Sequence, residues 1–304
     1  MTRRTDTSLF PTITVCNDFS PGALAAVERA AQLAVEHGAA LRLLQVSDAR
    51  RLIGTGTAAP AGAIDPSEQS ALDVHAFKLR QRLAELANQL AQRTGVKVES
   101  LLGIGTDHLV ISEHVQSQMP SLLVLGSRFD PATVGLGGTA LKLLRAPGCP
   151  VLVVRSRDAK PYQRVLSAVD LRDGSVRAAV AALALFPQAH HHLLYAVAPA
   201  LDSSLEAGGF AAEQVESLHV AMHRHAEREL RLLAQGFSAK ARHPVGAEVA
   251  NDVPARALLV GAASLQADCV VVGHHDETTI GQSELGSMAL HVLHFIPGDV
   301  LVVP

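Results

Sequence analysis

The chain alternates short, wholly apolar runs with longer stretches in which apolar residues return every three or four positions. Runs of the first kind, rich in Val, Ile and Leu, are expected of strands buried on both faces, and the second kind of amphipathic helices. Residues 12–16 open as a strand. Residues 21–36 read as a helix, with Ser20 as N-cap, Pro21 at the first helical position, Gly38 just past the end, and Leu24, Val27, Ala31 and Ala34 on one face. Residues 40–46 are the second strand, and a loop rich in Gly, Pro and Ala covers residues 47–66. A long helix over 67–94 carries Leu79, Leu83, Leu86 and Leu90 until Gly95 ends it. Strand three is expected over 96–102, a helix capped by Thr106 over 107–118, strand four over 122–125, a helix over 138–145 and strand five over 151–154. Strands and helices in strict alternation predict βαβ units around a parallel sheet.

The pattern is then written a second time. Val151-Leu152-Val153-Val154 returns as Val300-Leu301-Val302-Val303, each time shortly after a Pro-Gly, at Pro147-Gly148 and Pro297-Gly298. Leu123 to Gly126 matches Val270 to Gly273, Gly138-Thr139 matches Gly286-Ser287, and the apolar runs ending in Asp18 and Asp170 match each other. The offsets are nearly constant, between 147 and 152 residues, which points to a duplicated unit. Strands of the second copy are expected near 164–169, 190–197, 243–249, 269–272 and 300–303, with its long helix near 211–235. The boundary is expected in the polar stretch 155–161, which ends in Pro161, giving domains of 1–157 and 158–304. A length of 304 residues, against about 100–200 for a typical domain, agrees with two cores.

Composition narrows the function classes. Lys and Arg number 26 against 29 Asp and Glu, for a net charge of −3, which argues against a general nucleic-acid binder. With 48% hydrophobic residues the chain is not disordered. Cys16, Cys149 and Cys269 are widely spaced and set in or beside apolar runs, as expected of reduced, buried thiols. Apolar runs stop well short of the roughly 18 residues that span a membrane, and no signal-peptide core develops near the start. A soluble cytoplasmic protein is the expectation, with neither nucleic acid nor membrane as partner.

An Asp closing strand one, a long helix before strand three, and a strand-four glycine followed by Gly-Thr or Gly-Ser and a Pro-bounded VLVV strand together resemble the universal stress protein family. The resemblance covers both halves. It implies two tandem five-stranded, Rossmann-like α/β domains packed as a pseudo-dimer, with further dimerisation open, and a stress-linked regulatory or binding role. In family members that bind ATP, the pattern after strand four is Gly, two residues, Gly, nine residues, Gly and then Ser or Thr. Glycines of this kind let main-chain N–H groups approach phosphate, and the last one opens a helix whose positive end favours an anion. The resemblance assigns an unpaired carboxylate to the ribose and main chain at the end of strand two to adenine. Those positions are Asp18 and Val46 with Gly126, Gly138 and Thr139 in the first copy, and Asp170 and Val197 with Gly273, Gly286 and Ser287 in the second.

Both copies depart from that pattern. In the second the spacing is intact but Asp276 stands for the middle glycine, so phosphates there would need a divalent cation such as Mg²⁺ to bridge them to the carboxylate. In the first, Phe129 takes that place and the loop is one residue shorter, which favours the second copy as the ATP site and a blocked or re-purposed first. The alternatives are an interaction module without nucleotide and a metal-binding protein. His190, His192, His219, His223, His225, His274 and His275 supply candidate metal ligands, but no Cys-x-x-Cys or His-Glu-x-x-His motif supports them. A slow ATPase has no candidate base beyond Asp276. Gly54-x-Gly56 lacks the strand before it and the helix after it, and Gly281-x-Ser283 lacks the closing glycine of a nucleophile elbow, so neither carries a function.

Overall fold

A computed structural model of the chain describes residues 9–48, 66–127, 137–197, 208–274 and 287–304. The chain divides into two compact units, the first ending at Ala159 and the second beginning at Lys160. In the first unit the strands are β1 (Thr12–Cys16), β2 (Ala40–Ser47), β3 (Val98–Ile104), β4 (Leu122–Gly126) and β5 (Val151–Val154). They form an all-parallel sheet in the order β3-β2-β1-β4-β5, with Cys16 opposite Leu44 and Val15 opposite Val124. Helices α1 (Pro21–His37), α2 (Pro66–Thr94), α3 (Asp107–Gln118) and α4 (Gly138–Arg145) follow the first four strands in turn.

The second unit repeats the plan. Its strands β6 (Arg164–Ala168), β7 (His190–Ala196), β8 (Gly246–Ala250), β9 (Cys269–Gly273) and β10 (Asp299–Val303) are parallel and ordered β8-β7-β6-β9-β10. Its helices are α5 (Asp173–Leu185), α6 (Ala212–Ser238), α7 (Pro254–Leu265) and α8 (Ser287–Phe295). This order reverses direction at the first strand of each unit, which opens a crevice at the carboxyl ends of the strands.

Local chemistry accounts for the elements. The Ser20 hydroxyl accepts the Ala23 N–H at 3.2 Å to cap α1, Pro21 starts it, and Gly38 ends it at φ 62°, where a side chain would be strained. Strands β4, β5, β9 and β10 are almost entirely buried, as their unbroken apolar runs require. Two strands sit later than their sequence pattern predicts. Strand β3 runs 98–104 rather than 96–102, because Gly95 turns at φ 72° and the Thr94 hydroxyl folds back onto the Leu90 carbonyl. Strand β8 begins at Gly246 rather than 243, because Pro244 has no N–H for the ladder and the Val245 N–H is taken by the Ser238 hydroxyl at 2.8 Å. The other elements agree with the sequence reading to within a few residues at their ends.

The duplication extends to backbone detail. Phe19 and Leu171, each one residue after the strand-one aspartate, both have positive φ, 60° and 64°. Met119 and Gln266 end α3 and α7 in the same left-handed conformation. Strand one is also tied to strand four by equivalent side chains. Ser121 hydrogen-bonds both the N–H and the carbonyl of Thr12, and the Asp268 carboxylate accepts the N–H groups of Gln163 and Arg164 at 2.6 and 2.8 Å. At the end of the first unit, the buried guanidinium of Arg29 (3% exposed) holds the Ser156 hydroxyl and the Asp158 carbonyl.

Candidate functional site

In the first unit the carboxyl ends of the strands surround a cavity of about 450 Å³. Strand β1 contributes Cys16 and the following Asn17, Asp18 and Ser20; β2 contributes Leu44 to Ser47; β4 contributes Leu125 and Gly126. Helix α2 lays His75 and Leu79 over one wall, α3 adds Asp107 and Ile111, and the start of α4 adds Gly138, Thr139 and Ala140. All five positions assigned to the first copy from the sequence therefore line one space. Phe129, expected to fill that mouth, lies outside the described residues. The described walls enclose an open volume in the copy that the loop lengths had disfavoured.

Two details differ from the sequence reading. Neither strand-one aspartate is unpaired: Asp18 Oδ1 accepts the Ser20 N–H at 2.9 Å, and Asp170 Oδ1 accepts both the Ser175 hydroxyl at 2.6 Å and the Arg172 N–H at 3.0 Å. Asp18 stays exposed and lines the cavity, whereas Arg172 Nε lies 3.7 Å from Asp170 Oδ2. The strand-four glycines have a packing duty as well. A Cβ on Gly126 would stand 2.3 Å from the Gly22 carbonyl oxygen, so the first turn of α1 crosses the strand at backbone contact. Gly273 meets the Gly174 carbonyl in the same way at 3.1 Å.

Electrostatics at this mouth are mixed. Carboxylates of Asp18, Asp48 and Asp107 line it, while the N-cap of α4 is Gly137, which has no side chain to cap the first N–H groups. The Cys16 thiol is pushed up to about 12 by burial, and then by the negative charges of Asp107 and Asp18. It stays protonated near neutral pH and is no nucleophile. An arginine from α2 reinforces the rim: the Arg82 guanidinium sits 3.8 Å over the Phe19 ring.

In the second unit Asp170 and Gly273 lie at the corresponding strand ends, but Ala196 rather than Val197 holds the place of Val46; Val197 is the next residue, buried, with its N–H bonded to the Ala250 carbonyl. Gly286, Asp276, His275 and the side chain of Ser287 lie outside the described residues. A cavity of about 550 Å³ sits at the opposite, amino ends of the strands and is lined by His190, His191 and His192. There His190 stacks on His243 with ring centroids 4.1 Å apart, and His192 Nε2 lies 3.7 Å from Glu248. His223 pairs instead with Glu227 on its own helix. Among the described residues no group of three or more His, Cys, Asp or Glu side chains is placed to hold a metal ion. Nor is any helix there long and apolar enough to cross a membrane.

Buried His191 and half-buried His192 make stability pH-dependent. Burial holds His191 below the ordinary 6.5, against its bond to the Phe186 carbonyl and helped by nearby His190 and His243; burial also lowers His192, against the pull of Glu248. A depressed folded-state pKa means that the unfolded chain binds the proton more tightly. Stability is therefore full above about pH 6.5 and falls as the pH drops below it, by at most about 1.4 kcal/mol per pH unit for each proton taken up. Denaturant unfolding at pH 7.5 and 5.5 checks this, and His191→Leu should shrink the difference. An unchanged difference would remove His191 from the effect.

The universal stress protein family's sequence profile matches residues 10–155 and again 161–304. The chain belongs to the universal stress protein family. Each copy of the universal stress protein domain coincides with one five-stranded sheet. Solved structures share the fold over the whole length. A universal stress protein from Archaeoglobus fulgidus DSM 4304 is 17% identical, with a TM-score of 0.72 over 98% of both chains. A functionally unknown protein from Pseudomonas aeruginosa PAO1 is 20% identical, with a TM-score of 0.57 over 97% of this chain and 92% of that one. Identities this low speak for fold alone. No curated protein matches the chain significantly.

Proposed function

We propose that this tandem universal stress protein is a regulatory binding protein whose first domain takes an adenine nucleotide at the carboxyl ends of its strands. The observation that supports this reading is the cavity of about 450 Å³ lined together by Asp18, Val46, Gly126, Gly138 and Thr139. Its volume falls within the range of small-molecule sites. The exposed Asp18 carboxylate accepts ribose hydroxyls, main chain at Val46 meets the base, and the N–H groups of Gly138 and Thr139 at the start of α4 receive a phosphate. Asp48 and Asp107 oppose a polyphosphate, so ATP would enter with Mg²⁺ already bound to it. The second domain's set, Asp170, Val197, Gly273, Gly286 and Ser287, is the lesser candidate, because Ser175 and Arg172 already engage Asp170.

Nucleotide released on heat-denaturing the purified protein, identified by chromatography, tests this directly. Added ATP and Mg²⁺ should also raise the melting temperature by several degrees at a hundredfold excess over Kd. Gly138→Asp should abolish that shift and Gly286→Asp should leave it. No released nucleotide together with no shift would refute nucleotide binding, and loss of the shift only in Gly286→Asp would move the site to the second domain.

A further inference from the structure

Two buried amides are among the residues that line the first-domain cavity. Asn17 follows the last residue of β1 and Gln45 lies in β2; since Cys16 pairs with Leu44, the two are neighbours in register and share a face of the sheet. They are 3% and 6% exposed. Asn17 Oδ1 accepts the N–H of Phe19 at 3.1 Å, which fixes the amide and leaves Nδ2 as the group that must find an acceptor. Among the described residues neither Asn17 Nδ2 nor Gln45 Oε1 has a hydrogen-bond partner. One orphan is a donor and the other an acceptor.

The second copy shows that the fold does not need them. Asn17 N–H bonds the Leu44 carbonyl and Val169 N–H bonds the Leu194 carbonyl, both at 2.9 Å, so Val169 holds the place of Asn17. In the same register Tyr195 holds the place of Gln45. Burying an unpaired amide is costly, and an apolar residue serves the strand end equally well, as Val169 does. Two such costs at one wall of a cavity point to a ligand that repays them.

We infer that Asn17 and Gln45 are specificity-determining residues that read the heterocycle of the bound ligand, Asn17 Nδ2 donating to a ring nitrogen and Gln45 Oε1 accepting from an adjacent amino group. The inference rests on the adenine reading above and deepens it. A 6-aminopurine carries this acceptor beside its donor. Main chain at Val46 offers the same donor and acceptor, so the side-chain variants are what separate the two contacts.

Titration calorimetry of the full chain with AMP and with analogues lacking the 6-amino group, ring N1 or ring N7 decides the matter. Removing the amino group, and removing one of the two ring nitrogens, should each weaken binding about tenfold or more, because a buried partner is left unmatched. Gln45→Leu should become indifferent to the amino group, and Asn17→Val to that ring nitrogen. Without ligand, both variants should melt at or above the wild-type temperature. Equal affinity of the wild-type chain for all four ligands would overturn the inference and leave the nucleotide site standing, whereas no binding of any would overturn both. Lower melting temperatures of both ligand-free variants, with wild-type selectivity kept, would make the amides structural and likewise overturn it.

Discussion

Gly126→Ala is expected to destabilise the first domain by about 3 kcal/mol or more, near the upper end of what overpacking costs. The new methyl group would lie 2.3 Å from the Gly22 carbonyl oxygen, 2.5 Å from its carbon and 2.7 Å from the Ala23 nitrogen. All three are backbone atoms at the first turn of α1, where Ser20 and Pro21 already fix the helix, so no side chain can swing aside. Relief requires α1 to lift from β4, and α1 buries Ala23, Ala26, Val27, Ala30, Leu33 and Ala34. Gly273→Ala is the internal control: its nearest contacts are 3.1 to 3.2 Å, which a shift of a few tenths of an ångström relieves, at about 1 kcal/mol. Denaturant unfolding of both variants checks the ranking. Equal effects would mean that β4 and α1 approach less closely than described.

Tyr162→Phe should cost the second domain about 1.5 to 3 kcal/mol, the range for hydrogen bonds to charged groups. The Tyr162 hydroxyl donates to Asp299 Oδ2 at 2.5 Å, and Asp299 at the start of β10 is 0% exposed. The ring of Tyr162 also packs edge-on against Phe186 at 4.5 Å, a contact that the substitution preserves. The change therefore removes a hydrogen bond and little else. Adding Asp299→Asn to Tyr162→Phe should recover part of the loss, since a neutral amide is cheaper to bury than a carboxylate. Thermal or denaturant unfolding reads both, and a Tyr162→Phe chain as stable as wild type would show that other partners of Asp299 suffice.

Duplication made most of the architecture legible. Buried parallel strands are written as unbroken apolar runs, and two such series with matching landmarks disclose two five-stranded units. Boundaries were lost where side-chain chemistry decides them, as where Ser238 and Pro244 delay β8. The site was legible as positions and less so as roles. Gly126 reads from the sequence as a phosphate-side glycine, yet the closest constraint on it is the backbone of α1, a long-range contact that spacing does not encode. Asn17 and Gln45 went unnoticed because a polar residue at the end of an apolar run looks like a turn residue. The available signal was the contrast between copies, Asn17 against Val169, which emerges only when the repeats are aligned residue by residue. Preference for the second copy followed loop length and the bulk of Phe129, and those loops lie outside the described residues.

Arg29 grips the chain through residues 156 and 158, and Asp268 grips it again at 163 and 164. Only Ala159, Lys160, Pro161 and the inward-turned Tyr162 separate these two clamps. A protease needs several extended residues to thread its cleft, so the junction should survive digestion that would sever an ordinary tether, and breaking either clamp should create a cutting point there.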